Sequence, residues 1–532
     1  MAPTVMGEIS SRLNKSGRPR LKQWAPKVKS GCITCRIRRI KCDETKPSCT
    51  RCTSTGRNCD GYDELAIKQV IKPQHVVQMP SAWDQVSGST VEIKNFAFFR
   101  SVTTADLAGF FDVGFWTGKL LQLSHQYPAL WHAMTALACV HHEFITDRTP
   151  TTVARVGDTP NMRFALVQFN KSIQSLRKLL SGPSLTRLDK LVALSTCLLF
   201  TCMASLQGRQ WQAFVHISSG LKMFHYWNLG LRNRDRRDDD PDIDLLLVAF
   251  TQLDTQARPY LPSQRNNLQW TDSQIILSST IEPFRSLLDA YLAIEVHFNT
   301  MMRFMLSKEF SDLTLISENL IQKQKCGDDF QQWDARLSGF LSVAAPSEKD
   351  DRALNLLYIR RIFARIFLSL DFTKGELCHD DFLQDYKQML DLATQLLDDL
   401  NSSHMSGERP SHPNFCLATT VAEPLFLIAT RCREPTIRRE ALRLLKQYPR
   451  REGICEGMVA ARIAETMIDI EEKGCNGGQA GSCTTGQWVC GNHRVAILQF
   501  VLIAERQMKI LIQTVEDLIC GRDERVLVTS YW

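Results

Sequence analysis

The sequence predicts a small metal-bound cysteine cluster followed by a large all-α domain. Three observations carry that prediction. Six cysteines crowd between positions 32 and 59, and the excess positive charge of the chain lies around them. After about residue 95 the apolar residues recur at helical spacing, with almost no strand-like alternation.

The cysteines come first. Cys32, Cys35, Cys42, Cys49, Cys52 and Cys59 read C-x2-C-x6-C twice in tandem. Two cysteines separated by two residues can turn both sulfurs toward one tetrahedral zinc ion, at about 2.3 Å. Two ions need eight ligand positions, so six sulfurs suffice only if two of them bridge. The repeat requires the bridges to be an equivalent pair, one from each half, and the spacing alone does not say which. A disulfide staple is the rival reading. It needs an oxidising compartment, and Met1 to Lys15 lacks the apolar core of a signal peptide. The expected fold class is therefore a small two-zinc cysteine cluster followed by a large all-α domain.

Between Cys35 and Cys42 lie Arg36, Ile37, Arg38, Arg39, Ile40 and Lys41. Ile37 and Ile40 are three apart, which predicts that they share a helical face and pack inward. The four cations then face outward, where they suit the phosphates and base edges of double-stranded DNA. Arg51 and Arg57 add charge in the second half. Residues 1–60 hold 14 Lys and Arg against 4 Asp and Glu, leaving 50 cations and 53 anions to the rest. A basic patch so localised points to nucleic acid.

The stretch Gly31 to Tyr62, GCITCRIRRIKCDETKPSCTRCTSTGRNCDGY, resembles the zinc binuclear cluster of fungal transcription factors. The likeness covers all six cysteines, the basic run, Asp43, Pro47, Gly56 and Gly61-Tyr62. It implies two zinc ions, with Cys32 and Cys49 as the bridges and a cis peptide bond before Pro47. It also implies CGG-type sites read in the major groove. The base-reading position of the family falls on Arg39, where arginine replaces the lysine of some members, and its fork still suits guanine O6 and N7. Arg36, Arg38 and Lys41 are expected on phosphates, with Arg38 able to reach a base.

Residues 1–30 read as a disordered basic arm, 31–62 as the DNA-binding cluster, 63–94 as a linker and 95–532 as a helical regulatory domain. In the arm, Gly17-Arg18-Pro19-Arg20 resembles an AT-hook core, but Ser16 stands where that motif has arginine, so a plain basic arm is the expectation. The linker carries Pro73, Pro80 and Ser87-Gly88-Ser89, and its apolar residues fit no heptad for even two turns. Beyond it, Met162, Leu166, Phe169, Ile173, Leu176 and Leu180 step by four and three, ended by Gly182-Pro183. Further helices are expected over 128–146, 209–228, 283–306, 353–371, 381–401, 455–473 and 493–520. Arg232 to Asp240 reads as an exposed charged loop. Leu191 to Gly208 is uncharged for 18 residues, at the lower limit for a membrane span. Its serines, threonines, cysteines and Gln207 favour a buried core helix, and no membrane partner is expected.

The body also resembles the regulatory region that follows the cluster in a group of fungal regulators. The likeness rests on Ala108-Gly109-Phe110-Phe111-Asp112, Phe115-Trp116, Pro128 to Ala133, Ala138 to Glu143 and Leu206-Gln207-Gly208. Some of that group control secondary-metabolite gene clusters. His141-His142-Glu143 suggests a metal centre at first sight. Adjacent histidines on a helix point about 100° apart, so a polar cluster at a helix end is expected instead. Cys475, Cys483, Cys490 and His493 have irregular gaps and a glycine-rich interior, which reads as a loop. No phosphate-binding loop, nucleophile elbow or zinc-protease motif is present.

The function expected is a nuclear, sequence-specific regulator of RNA polymerase II genes, not an enzyme. Its partners would be DNA, the transcription machinery and a second copy bound through residues 95–532. Two other classes stay open at this stage: a zinc-buffering module, and a helical effector-binding or enzyme domain that the cluster targets to DNA.

Overall fold

The computed structural model describes residues 31–38, 40–62, 88–109, 114–146, 159–229, 241–261, 282–306, 316–344, 350–402, 414–474, 485–504 and 506–530. The basic arm with its Gly17–Arg20 motif, most of the 63–94 segment, Arg39, the 232–240 charged run, Cys475 and Cys483 lie outside them. The chain divides into two compact units, Met1–Val86 and Ser87–Trp532.

Among its described residues the first unit has no aliphatic core. Two short helices, Ile33–Ile37 and Thr50–Thr53, each start directly after the first cysteine of a half. Cys32, Cys35, Cys42, Cys49 and Cys52 are buried, with Cys59 and Tyr62 packed beside them. The Ile33 amide donates to the Gly61 carbonyl at 3.0 Å and draws the ends of the segment together. Gly61 makes this turn at φ 73°, where a side chain would be strained. The Lys46-Pro47 bond is cis. Ile37 and Ile40 are exposed, at 75% and 41%, which corrects the expectation that they pack inward. The interior here is sulfur, and one helical turn leaves no apolar layer to receive them.

The second unit is mostly helical. Its first described helix, Thr90–Phe98, starts at a capping box in which Ser89 and Glu92 each satisfy the other's amide. Helices Pro128–Thr146 and Pro160–Leu180 then pack side by side. At their contact Ala165, Gln168 and Ser172 are buried, and the larger stripe residues Met162, Leu166, Phe169 and Ile173 stay half-buried. Small and polar residues on this line let the backbones approach: Ser172 donates to the Ala129 carbonyl at 2.6 Å, and Gln168 bridges His132 and Glu92.

Arg187–Leu206 is long and apolar enough to cross a membrane, but every residue from Leu191 to Leu206 is buried inside the helical body. The Ser195 and Thr196 hydroxyls are satisfied within the helix, on the Leu191 and Val192 carbonyls, both at 2.7 Å, and Ser205 donates to the Gly453 carbonyl. The expected helices over 128–146, 209–228, 283–306, 353–371, 381–401 and 455–473 form as Pro128–Thr146, Gln210–Tyr226, Leu287–Met305, Asp351–Ser369, Leu383–Ser402 and Gly457–Gly474. Thr90–Phe98, which begins within the expected 63–94 linker, was missed, as were four others of ten residues or more: Pro241–Ala257, Ile316–Val343, Ala422–Arg431 and Pro435–Gln447. Among its described side chains the longest of these, 28 residues, buries Cys326, Phe330, Trp333 and Leu337, a narrow stripe, while Leu320, Ile321 and Val343 stay exposed.

The expected helix over 493–520 is absent. Its place is taken by strands β4 (Val495–Ala504) and β5 (Gln507–Thr514), the short helix Val515–Ile519, and β6 (Arg525–Ser530). The three strands form one antiparallel sheet in the order β4-β5-β6, with Phe500 opposite Ile510 and Ile510 opposite Leu527. The dense apolar run fits a 3.6 period as easily as a period of two. The period of two wins because Met508, Ile510 and Ile512 bury one face against Val459, Ile463 and Met467 of the Gly457–Gly474 helix. A second small sheet joins β1 (Asn414–Cys416), β2 (Arg450–Glu452) and β3 (Cys455–Glu456).

Candidate metal centre and nucleic-acid interface

The sulfurs of the first unit form two groups of four. Cys32, Cys35, Cys42 and Cys49 make one; Cys32, Cys49, Cys52 and Cys59 make the other; within each, all sulfurs lie within 4.8 Å of one another. The two groups share Cys32 and Cys49. The Cys32 and Cys49 sulfurs lie 3.6 Å apart, Cys32 and Cys52 3.8 Å, and Cys35 and Cys49 3.7 Å. Thiolates at a zinc–sulfur distance of 2.3 Å on a tetrahedron stand about 3.8 Å apart, so the spacing fits a metal. A disulfide requires about 2.05 Å, and all six cysteines are free.

The backbone repeats the twofold pattern. The Cys32 amide points at the Cys42 sulfur and the Cys49 amide at the Cys59 sulfur, each at 3.4 Å and each across ten residues. A third amide, from Glu44, also reaches Cys42 at 3.4 Å. Burial alone raises the Cys42 thiol, but these amides bring it down to about 7. Burial pushes Cys32 up to about 12 and raises Cys35 and Cys49. Thiols so close cannot ionise together without a cation between them. A divalent ion supplies that charge and deprotonates its ligands. The Tyr62 hydroxyl donates to the Thr45 carbonyl at 3.0 Å and stands 3.8 Å from the Cys42 sulfur, bracing the loop between the halves.

The basic run begins on the Ile33–Ile37 helix, which carries Arg36 in its last turn. Arg38 is half-buried, and Lys41, Arg51 and Arg57 are exposed. Arg39 lies outside the described residues. Ile37 and Ile40 stand exposed within the run, a signal that inward-packing logic hid. An apolar side chain beside cations on a one-turn helix suits a groove, where thymine methyls are the apolar surface.

Elsewhere the other metal suggestions disperse. His141 is fully buried, with Nδ1 3.0 Å from Thr103 Oγ1 and Nε2 3.3 Å from Asp106. His142 meets the edge of Phe98, and Glu143 accepts from Thr159. Of the set at the C-terminal loop, Cys490 and His493 are brought together at 2.7 Å; Cys475 and Cys483 lie outside the described residues.

Two family models match the chain. Residues 30–69 match the fungal Zn(2)-Cys(6) binuclear cluster domain, and residues 115–462 match the fungal specific transcription factor domain. The aspercryptin biosynthesis cluster-specific transcription regulator atnN of Emericella nidulans is 25% identical over 84% of this chain and 87% of its own length. Transcription regulator lscL of Purpureocillium lilacinum is 25% identical over 39% of this chain and 50% of its own length. The Zn(2)-C6 fungal-type transcription factor afumD of Aspergillus fumigatus is 34% identical over 22% of this chain and 32% of its own. No solved structure matches. The chain belongs to the fungal transcription factors that join a Zn(2)-Cys(6) cluster to a fungal-specific helical domain, and it is a transcription regulator.

Proposed function

We propose that this regulator acts in the nucleus on RNA polymerase II genes and reads CGG-type sites through a cluster of two zinc ions. The observation that carries this is the pair of four-thiol groups sharing Cys32 and Cys49, with a basic run that begins on the helix starting between Cys32 and Cys35. Cys32, Cys35, Cys42 and Cys49 hold one ion and Cys32, Cys49, Cys52 and Cys59 the other. Arg39 reads guanine. Arg36, Arg38 and Lys41 hold phosphates and set the register. Residues 1–30 extend the footprint over neighbouring backbone, 63–94 tether the cluster, and 95–532 contact the transcription machinery and a second copy.

The relation to an aspercryptin cluster-specific regulator supports a secondary-metabolite gene cluster as the target. Affinity for a CGG-bearing duplex, measured by fluorescence anisotropy across a salt series, tests the reading. A steep salt slope together with preference for CGG over a scrambled duplex is expected. Arg36→Ala should weaken both duplexes alike and reduce the slope by about one. Binding indifferent to salt and sequence would refute it.

A further inference from the structure

The C-terminal sheet is docked on the helices by a short turn with unusual chemistry. Gly491–His493 is a single tight turn with Cys490 at its start. The Cys490 sulfur lies 2.7 Å from His493 Nδ1, and His493 Nε2 lies 3.1 Å from a Glu516 carboxylate oxygen. An imidazole so held has its tautomer set by the carboxylate. Nε2 donates its proton to Glu516, which leaves the Nδ1 lone pair facing the thiol. Thiol, imidazole and carboxylate then stand in the order of an activated nucleophile. Cys490 is partly exposed, unlike Cys378 and Cys432, which are buried in the helical core, and Cys416, which is buried on β1.

We propose that Cys490 is a covalent-modification site for soft electrophiles of the α,β-unsaturated carbonyl class, with His493 moving its proton and Glu516 orienting His493. His493 Nδ1 takes the thiol proton. The thiolate sulfur bonds to the β-carbon of the electrophile, and the alkene electron pair moves to the α-carbon and carbonyl as an enolate. The imidazolium returns its proton to the α-carbon. The sum is addition of S–H across a C=C bond, with no oxidant or reductant.

The turn couples this site to the fold. Arg494, the next residue, is fully buried, and its guanidinium binds Asp380 at 2.7 Å and the carbonyls of Glu376 and Val489 at 2.9 Å. The Val495 amide, which opens β4, donates to Glu471 at 2.9 Å. An adduct on Cys490 therefore sits four residues from the anchor of β4 and shifts the turn that holds it.

The test is the rate of N-ethylmaleimide addition at each cysteine of the full-length, zinc-loaded protein, followed by peptide mapping from about pH 6 to 8. The charged groups around the turn are already paired: Arg494 with Asp380, Glu471 with Arg433 and Arg438, and Glu516 and Asp517 with Arg522. The thiolate–imidazolium pair predicts a nearly flat pH profile for Cys490. The exposed Cys520, which faces the Arg522 guanidinium, serves as the comparison. A thiol near the ordinary value of about 8.5 speeds up roughly tenfold per pH unit below it. His493→Gln should slow Cys490 at least tenfold and leave Cys520 unchanged. Glu516→Gln should slow Cys490 by less. A Cys490 rate that climbs tenfold per unit in the wild-type protein overturns the proposal, with no variant needed. So does a Cys490 rate that His493→Gln leaves unchanged.

Discussion

Removing one sulfur separates a bridging cysteine from a terminal one. Cys49 belongs to both four-thiol groups and Cys59 to one. Cys59→Ala leaves Cys32, Cys35, Cys42 and Cys49 intact, so one ion remains. Cys49→Ala leaves three sulfurs on each side. An apparent binding energy of about 10–16 kcal/mol accompanies each structural zinc in modules of this size. Among the described residues the buried cluster of this unit is made of cysteines, so little else holds it. At a free-zinc level where Cys59→Ala still keeps one ion, Cys49→Ala should keep none and the unit should unfold. Native mass spectrometry of the full-length protein in a zinc buffer counts the ions, and comparison with a metal-free sample reports the folding. If Cys49→Ala and Cys59→Ala retain the same number of ions, the shared pair is not Cys32 and Cys49.

The helical domain yields further expectations. At Gly220 an added Cβ would lie 2.1 Å from the Phe250 ring, so Gly220→Ala should destabilise by about 1–3 kcal/mol in thermal unfolding. Burial raises the Glu92 carboxyl, but the Ser89 amide, Gln168 and Lys171 outweigh it and hold the group at about 2. A folded value below the unfolded one of about 4.3 means the stabilisation is full above that pH and is lost as pH falls toward 2. Melting at pH 3 and pH 5 should therefore differ less in Glu92→Gln than in the wild type. A fragment of residues 1–94 should sediment as a monomer at micromolar concentration, since the 63–94 sequence carries no heptads.

Much of this molecule is written in its sequence. The cluster is legible because ligand spacing is covalent arithmetic that no tertiary packing overrides, and all six sulfurs come together in the two groups that this arithmetic requires. The amphipathic helices are legible for the same kind of reason, through fixed 3.6-residue periodicity, and Pro128–Thr146 forms over the very residues expected. Three things hid. The run from Val495 to Thr514 is apolar at 13 of its 20 positions and densely so from Val495 to Ala504, so packing against Val459, Ile463 and Met467 is what selects strands. Ile316–Val343 shows too thin a stripe to stand out from a polar stretch. The exposure of Ile37 and Ile40 follows from the metal having replaced an apolar core, which a residue-by-residue helical reading ignores. The pairing of His493 with Cys490 and Glu516 is half legible: the C-x2-H spacing is visible, but Glu516 comes from a separate element.

The most direct test of the central claim is selection of DNA from a random duplex pool by the full-length, zinc-loaded protein, run beside Arg39→Ala and beside a chelated sample. The account predicts enrichment of CGG-bearing sites by the wild type, with Arg39→Ala losing roughly 1–3 kcal/mol on the best site and much of the preference, and no enrichment after chelation. An enriched motif that is unchanged in Arg39→Ala, or that survives metal removal, would contradict it.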